Sequence, residues 1–338
     1  MGLHVSVVII GRNEGSRLVR CLDSVAAARL AGDAEVIAEV IYVDSESTDG
    51  SGEAAGARGA KVFVLKSERP SAARGRNLGW RAAQGEFILF LDGDTILDAD
   101  FVDAALPEFH DPSRAVVWGH RREIEPRASV YNRVLDLDWI APAGPCDFCG
   151  GDALMRRSAL EQVGGYDETL IAGEEPEMCR RMRACGHTIM HVDRPMTGHD
   201  LAITRWNQYW RRAVRTGHAY REVSERFRAT AMPLWEPEAR RNLTRASLLM
   251  AIPLLALATA LLFRSAWPLF AALAVLMALA LRSARRFSWK ASDPLTALLY
   301  GIHSHVQQIP IFFGQISYWR ARRSGRRRKL IEYKGTAA

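Results

Sequence analysis

Cysteine is scarce in this chain: five in 338 residues, with no regular spacing beyond Cys146-x-x-Cys149. That excludes a disulfide framework and points to a reducing compartment. The Cys146 and Cys149 pair has no second Cys or His pair at zinc spacing and is read as incidental, and Cys179 and Cys185 are read as packing residues. Acid is absent from Arg320 to Lys329 (RARRSGRRRK), which holds seven of the cations behind the net charge of +7, so the rest of the chain is near neutral. This excludes a whole-protein nucleic-acid footprint and leaves a local basic tail suited to anionic lipid. The N-terminus has neither a cationic start nor a small-residue cleavage site after its six-residue apolar run Val5–Ile10, so it does not read as a signal peptide. Polar bias is missing too: 48% of residues are apolar and 25% charged, enough for a large core.

Long apolar runs are confined to the C-terminal third. Ala246–Phe263 and Ala266–Leu281 are uncharged; as helices they reach about 27 and 24 Å, close to the hydrocarbon thickness of a bilayer. A membrane hairpin is expected. Arg240, Arg241 and Arg245 precede it and Arg282, Arg285 and Arg286 follow it, which places both flanks on the cytoplasmic side. Pro294–Trp319 mixes apolar residues with His303, His305, Gln307 and Gln308, and suits an interfacial or re-entrant segment.

Residues 1 to about 200 alternate strand-like runs with helical stretches, the pattern of an α/β domain with a largely parallel sheet. Strands are expected at Val5–Ile10, Val36–Val43, Lys61–Leu65, Phe87–Leu91 and Thr188–Val192, the last followed by a turn at Pro195, with helices at Glu14–Ala28, Thr48–Arg58 and Ala72–Ala83. Ligands of open α/β sheets gather at the C-terminal strand ends. There stand Arg12, Asn13 and Glu14 after the first strand, Asp44 to Asp49 after the second, and Asp92-Gly93-Asp94 after the fourth. Gly11-Arg-Asn-Glu-Gly15 does not fit a dinucleotide turn, and no Gly-rich, Lys-bearing loop of a nucleotidyltransferase occurs near the N-terminus. Two carboxylates one residue apart at a strand end suit Mg²⁺ or Mn²⁺ completed by water and phosphate oxygens.

Several segments occur in order: Val5-Ser-Val-Val-Ile-Ile-Gly-Arg-Asn-Glu14, Val43-Asp44-Ser-Glu-Ser-Thr-Asp49-Gly, Ala73-Arg74-Gly-Arg-Asn77-x-Gly79, Leu91-Asp92-Gly-Asp94, Gly150-Gly151-Asp152 and Gly173-Glu174-Glu175-Pro176. As a set over residues 4 to about 220 they resemble family-2 glycosyltransferases with the GT-A fold, a mixed, mostly parallel sheet flanked by helices. The resemblance implies a nucleotide-sugar donor with Asn13, Glu14, Asp44, Arg74, Asn77, Asp92, Gly151 and Asp152 around it. It implies Asp94 as metal ligand with Asp92, and His199 as a third. Glu175 occupies the slot of the general base, usually Asp, with Glu174 its neighbour. Pro176 suits the first helical position of a helix running to Cys185, so both carboxylates are expected just before that helix, held ionised by its N-terminus. Gln208-Tyr-Trp-Arg211-Arg212 is similar to the Gln-x-x-Arg-Trp box of processive members, with Arg212 in place of Trp; its cations would grip the diphosphate. Trp206, Tyr209 and Trp210 suit interfacial packing.

The expected organisation is a catalytic domain over 1–230, a membrane hairpin over 231–290, and an interfacial segment with a basic tail over 291–338. The expected function is inverting transfer of a sugar to a lipid-linked or glycan acceptor in cell-envelope or exopolysaccharide assembly, at a bacterial inner membrane with the catalytic domain cytoplasmic. Membrane lipids are expected partners, and nucleic acid is not. The rivals are a polyprenyl-phosphate sugar transferase, in which the lipid phosphate is the nucleophile and no base is needed, and a non-catalytic nucleotide-sugar-binding membrane protein.

Overall fold

The computed structural model describes residues 4–28 and 36–325. The described chain forms two compact units, one running to Glu125 and resuming over Trp139–Leu201, the other made of Pro126–Asp138 and the described residues from Ala202 on. The expected basic tail lies outside the described residues from Arg326 onward.

In the first unit the elements in chain order are β1 (Val5–Gly11), α1 (Ser16–Ala26), β2 (Ile37–Asp44), α2 (Ser51–Gly56), β3 (Lys61–Val64), α3 (Ala72–Ala82), β4 (Phe87–Asp92), β5 (Thr95–Leu97), α4 (Phe101–Ala105) and β6 (Arg114–Glu123). After α5 (Val130–Asp136), which belongs to the second unit, come β7 (Gly144–Pro145), β8 (Ala153–Arg156), α6 (Arg157–Val163), α7 (Glu174–Ala184) and β9 (Thr188–His199). Among the described residues these strands make one nine-stranded sheet in the order β3-β2-β1-β4-β8-β6-β9-β5, with β7 on β9. The pairs β1–β2, β1–β4, β2–β3 and β6–β9 are parallel, and β8 runs antiparallel to β4 and β6.

β1 is buried on both faces because helices cover both. Val5, Val7 and Ile9 meet α1 through Leu18, Cys21, Leu22 and Val25, and α4 through Phe101 and Val102. Val8 and Ile10 face α3, α6 and α7 through Ala73, Trp80, Leu160, Met178 and Met182. Each such side chain contributes about 1.5–3 kcal/mol of burial, so the sheet's register is firmly set.

From β1 the chain winds outward through β2 to β3, then returns to β4 on the other side of β1. The crevice where direction reverses is the place for a ligand, outside the carboxyl ends of these strands. Register brings Gly11 beside Asp44, and Ile10 beside Asp92. β9 continues through Pro195 to His199, where the sequence suggests a turn. Proline lacks a ladder donor, and the pairing with β6 accommodates it by register shifts around His120, which lies opposite Pro195. That extension matters for the site, because it pairs Thr95 with His199.

The second unit is helical: α5, then α8 (Trp206–Phe227), α9 (Glu236–Phe263), α10 (Trp267–Arg286), α11 (Pro294–Val306) and α12 (Gln308–Arg323). Within it α8 packs against α9 and α12. The expected interfacial segment is two helices that part at Gln307. α9 and α10 are long and apolar enough to cross a membrane, and only 11% of each apolar stretch is buried. Leu254, Leu261, Leu262, Phe263, Trp267 and Phe270 are exposed; a core hairpin would bury them.

α8 and α12 cross at Gly217 and Gly314. A Cβ at Gly217 would overlap the Ile311 carbonyl, and one at Gly314 the Val214 carbonyl. Both obstacles are backbone, so no side chain can yield. Gly217→Leu is expected to destabilise the helical unit by about 3 kcal/mol or more, read as a lower Tm of the full chain in detergent.

Candidate active site

The fourth strand delivers its carboxylates where the topology predicts. Asp92 ends β4, and Asp94 follows Gly93 immediately before β5. The Thr95 to His199 pairing carries His199 to the same place, with the Asp200 amide donating to the Asp94 carbonyl over 3.1 Å. One ligand atom from each of Asp92, Asp94 and His199 lies within 4.8 Å of the others. His199 Nε2 is 3.4 Å from Asp94 Oδ1, and both residues are buried. Two carboxylates and an imidazole fit a hard divalent cation whose remaining positions are filled by water or diphosphate oxygens. Trp139 stands edge-on to His199 at 5.0 Å, and the Arg121 guanidinium lies 4.9 Å from the centre of the Trp139 ring.

The centre of the site is a buried cation that the resemblance does not single out. Arg76, on α3, donates from Nη2 to Asp92 Oδ1 over 2.8 Å and from Nη1 to Glu175 Oε1 over 2.8 Å, with Glu174 Oε1 at 3.4 Å from Nη1. Its side chain is 3% exposed. Three carboxylates around it raise its pKa well above the usual guanidinium value despite the opposing effect of burial. Gly151 completes the cluster. A Cβ there would stand 2.7 Å from Arg76 Nη2 and 3.1 Å from Asp92 Oδ2, so this glycine lets a backbone approach the network.

Both carboxylate oxygens of Asp152 are engaged by protein groups. Its Oδ1 accepts from the Asp92 amide over 3.0 Å and its Oδ2 from Thr197 Oγ1 over 2.8 Å, with Arg121 Nε at 3.7 Å. Burial raises its pKa, against the pull of Arg121. It holds the β4 end in position.

Glu174 and Glu175 are the first two residues of α7, so the carboxylates lie inside the first turn and Pro176 is its third residue. The sequence places them just before the helix; Gly173 at φ 83° allows the chain to enter the helix earlier. The helix ends at Ala184, with Gly186 at φ 91° just beyond. Burial first, and the neighbouring Glu174 second, push the Glu175 pKa up to about 7, while Arg76 opposes both. Cys179 is buried as expected, with its Sγ 3.6 Å from that of Cys149, whereas Cys185 is exposed at the helix end.

At the ends of β1 and β2, Asp44 Oδ1 accepts from the Ser47 amide over 3.1 Å and from the Ser47 hydroxyl. Asn13, at φ 55°, receives the Thr48 amide on Oδ1 over 2.8 Å and donates its own amide to Ser47 Oγ over 2.8 Å. Asn13 therefore ties the two loops together. Glu14 pairs with Arg17 at 2.9 Å, and a Cβ on Gly93 would stand 3.2 Å from its Cγ, which places Glu14 beside the Asp92–Asp94 turn.

Some expected donor-binding residues are placed otherwise. Asn77 is 1% exposed, and all four of its hydrogen-bonding positions are filled: Nδ2 donates to Tyr166 O and Glu168 Oε1, and Oδ1 accepts from Trp80 Nε1 and the Tyr166 amide. It braces the Gly165–Tyr166 turn and has no group left for a ligand. Arg74 is partly exposed and faces Glu168 at 3.8 Å. Arg211 and Arg212 lie on α8 of the second unit, Arg211 exposed. Gln208 caps α8, its Oε1 accepting the Thr204 and Arg205 amides. Trp206 stacks on Tyr209 at 5.3 Å.

Arg76, Arg121 and Trp139 are the residues that motif reading misses. For Arg76 a signal exists: Ala73, Arg76, Asn77 and Trp80 recur at helical spacing on the buried face of α3, so position 76 points inward and Arg74 outward. Arg76→Ala would leave Asp92, Glu174 and Glu175 without their shared counter-ion. A loss of about 3–5 kcal/mol is expected, read as a Tm lower by roughly 10 °C or more, with Arg76→Lys in between.

Residues 6–164 match the model of glycosyl transferase family 2. The pre-mycofactocin glycosyltransferase of Mycobacterium tuberculosis is 29% identical over 212 residues, 58% of this chain and 42% of that protein. The probable glycosyltransferase YdaM of Bacillus subtilis is 24% identical over 210 residues, 56% of this chain and 50% of that one. The chain thus spans about half the length of the relatives it matches. Among solved structures, mannosyltransferase PcManGT from Pyrobaculum calidifontis, in complex with GDP-Man and Mn²⁺, superposes with a TM-score of 0.61 at 19% identity, covering 94% of this chain and 88% of that one. At that identity the likeness is one of fold, the GT-A arrangement of a mixed, mostly parallel sheet between helices. Sheet order, acidic strand ends and matched residues agree, and the stretch 6–164, most of it within the α/β unit, is a family-2 glycosyltransferase domain.

Proposed function

We propose that the chain transfers a sugar, with inversion, from a nucleotide-diphosphate donor to a hydroxyl of a lipid-linked or glycan acceptor. The observation that carries this reading is the joining of the Asp92–Asp94–His199 cluster to Glu175 through one buried arginine, at the strand ends where an α/β sheet takes its ligand. A divalent cation held by Asp92, Asp94 and His199 would neutralise charge developing on the leaving diphosphate. Asp44 and the side-chain Nδ2 of Asn13 would offer an acceptor and a donor to the base and ribose. Glu175 takes the proton of the acceptor hydroxyl as that oxygen attacks the anomeric carbon opposite the diphosphate. Arg76 fixes the Glu175 carboxylate relative to Asp92, so donor and base are held in one frame.

α9 and α10 would anchor the chain, with arginines at both flanks on the cytoplasmic side of a bacterial inner membrane. Their exposed apolar surface supports a membrane-bound acceptor over a soluble one, and cell-envelope or exopolysaccharide assembly is the setting that fits. The decisive experiment is a thermal-shift screen of nucleotide sugars with Mn²⁺, then transfer to lipid extracts with the donor that stabilises most. Stabilisation without acceptor-dependent release of nucleotide would leave a binding protein in place of an enzyme.

A further inference from the structure

The helical unit contains a polar cavity of about 350 Å³ that the transfer chemistry above does not use. Arg212 of α8 and Arg241 and Arg245 of α9 line it, with Asp138 and Glu238 as the acids and Gln307 at the break between α11 and α12. Asp138 is already committed: it accepts from Tyr300 Oη at 3.0 Å and lies 3.2 Å from His303 Nε2. Burial would raise its pKa, but His303, Arg212 and Tyr300 hold it below the ordinary carboxylate value. Three guanidinium groups thus face two carboxylates, Asp138 and Glu238. None of the three makes an ion pair among the described residues, and the charges that act on Arg245 are further cations, Arg241, Arg282 and Arg286. The wall is rigid, because Asn242 Nδ2 donates to Gln308 and Gln315 Nε2 donates to Asn242 Oδ1 over 2.7 Å.

Depth along α9 says what such a cavity meets. Arg245 immediately precedes the uncharged run that starts at Ala246, and Arg241 lies one turn earlier, roughly 6 Å along the axis. The headgroup layer outside the hydrocarbon is about 5–8 Å deep on each side. If α9 spans the bilayer, both arginines fall at the level of lipid phosphates. An excess of about one positive charge in the lining, with Arg282 and Arg286 acting on Arg245 as well, favours an anion such as a phosphomonoester, which carries about −1.5 to −2 at neutral pH, and guanidinium forks suit its oxygens.

We infer that this cavity binds the phosphate group of a membrane lipid. The inference rests on the membrane reading of α9 and α10 and gives the lipid partner a defined site. It is independent of whether sugar is transferred. The test uses the purified full chain in a non-ionic detergent, with retention of dioleoyl phosphatidic acid measured by native mass spectrometry against dioleoyl glycerol, which has the same tails and no phosphate. Retention of the phosphate-bearing lipid at least tenfold tighter is expected, with the preference lost in R241A/R245A and partly kept in R241K/R245K. Competition by millimolar inorganic phosphate would assign the site to the phosphate group however it is carried; failure to compete assigns it to the lipid headgroup. Equal retention of the two lipids, or an unchanged preference in R241A/R245A, overturns the inference. So does loss of the preference on Arg326, Arg327 and Arg328→Ala with the α9 arginines intact, which would place binding on the tail. Nucleotide-sugar binding with Mn²⁺, measured on the same R241A/R245A sample, reports on folding and on the transferase reading separately.

Discussion

Asp94→Ala is expected to lower glycosyl transfer by at least about 10³-fold, roughly 4 kcal/mol of transition-state stabilisation. The size follows from where Asp94 stands. It is 5% exposed, between the Asp92 turn and His199, and no other described carboxylate joins that cluster. Removing it leaves one partly exposed carboxylate, Asp92, that is already shared with Arg76 and Arg121. Such a pair holds a divalent cation weakly, and charge developing on a leaving diphosphate would go unanswered. Two measurements separate this from misfolding. Nucleotide-sugar should stabilise the wild type by about 2.7 kcal/mol at a hundredfold excess over Kd, and only with Mn²⁺ present. The variant should unfold near the wild-type temperature without ligands yet show no Mn²⁺-dependent shift. A variant that keeps both the shift and most of the turnover would remove Asp94 from the metal site.

The parts of this site that were legible in the sequence are those fixed by short-range pattern. Phe87–Leu91 is an apolar run that can only be a covered strand, so Asp92 and Asp94 had to emerge at its carboxyl end. The same logic placed Asp44 after β2 and Asn13 after β1. What could not be read is what depends on distant pairing. Arg76 and Arg74 are alike in a motif, and only the packing of α3 on the sheet decides which one is buried. Asn77 looks like a ligand-binding amide until Tyr166 and Glu168, about ninety residues on, are brought against it. Pro195 reads as the end of a strand, yet the shifted pairing with β6 carries β9 on to His199. Pro126–Asp138 sits within the sequence of the α/β unit but packs with the helices, where Asp138 meets His303. No local period encodes such an excursion. The alternatives of sequence and structure therefore part where side chains from remote segments compete for one buried charge.

Glu175→Gln is expected to lower turnover by about 10²–10⁴-fold while leaving donor binding intact, since a positioned base contributes a factor of that order. The pH dependence gives the sharper test. With its pKa pushed up to about 7 by burial and by Glu174, Glu175 is ionised only above neutrality. Wild-type turnover should fall with unit slope as pH drops below 7 and level off above it, and the variant should lack that limb. Stability moves in the opposite sense. A carboxyl whose folded pKa lies above its unfolded value of 4.5 contributes stability that is full below 4.5 and lost as pH rises through 7. Glutamine mimics the neutral form at every pH, so the variant should equal or exceed the wild type above pH 7, by on the order of 1–3 kcal/mol for a group still partly reached by solvent. An inactive protein that is more stable at pH 8 assigns the loss to chemistry. Turnover that survives Glu175→Gln but not Asp94→Ala would instead favour a nucleophile needing no base, such as a lipid phosphate, which arrives already ionised.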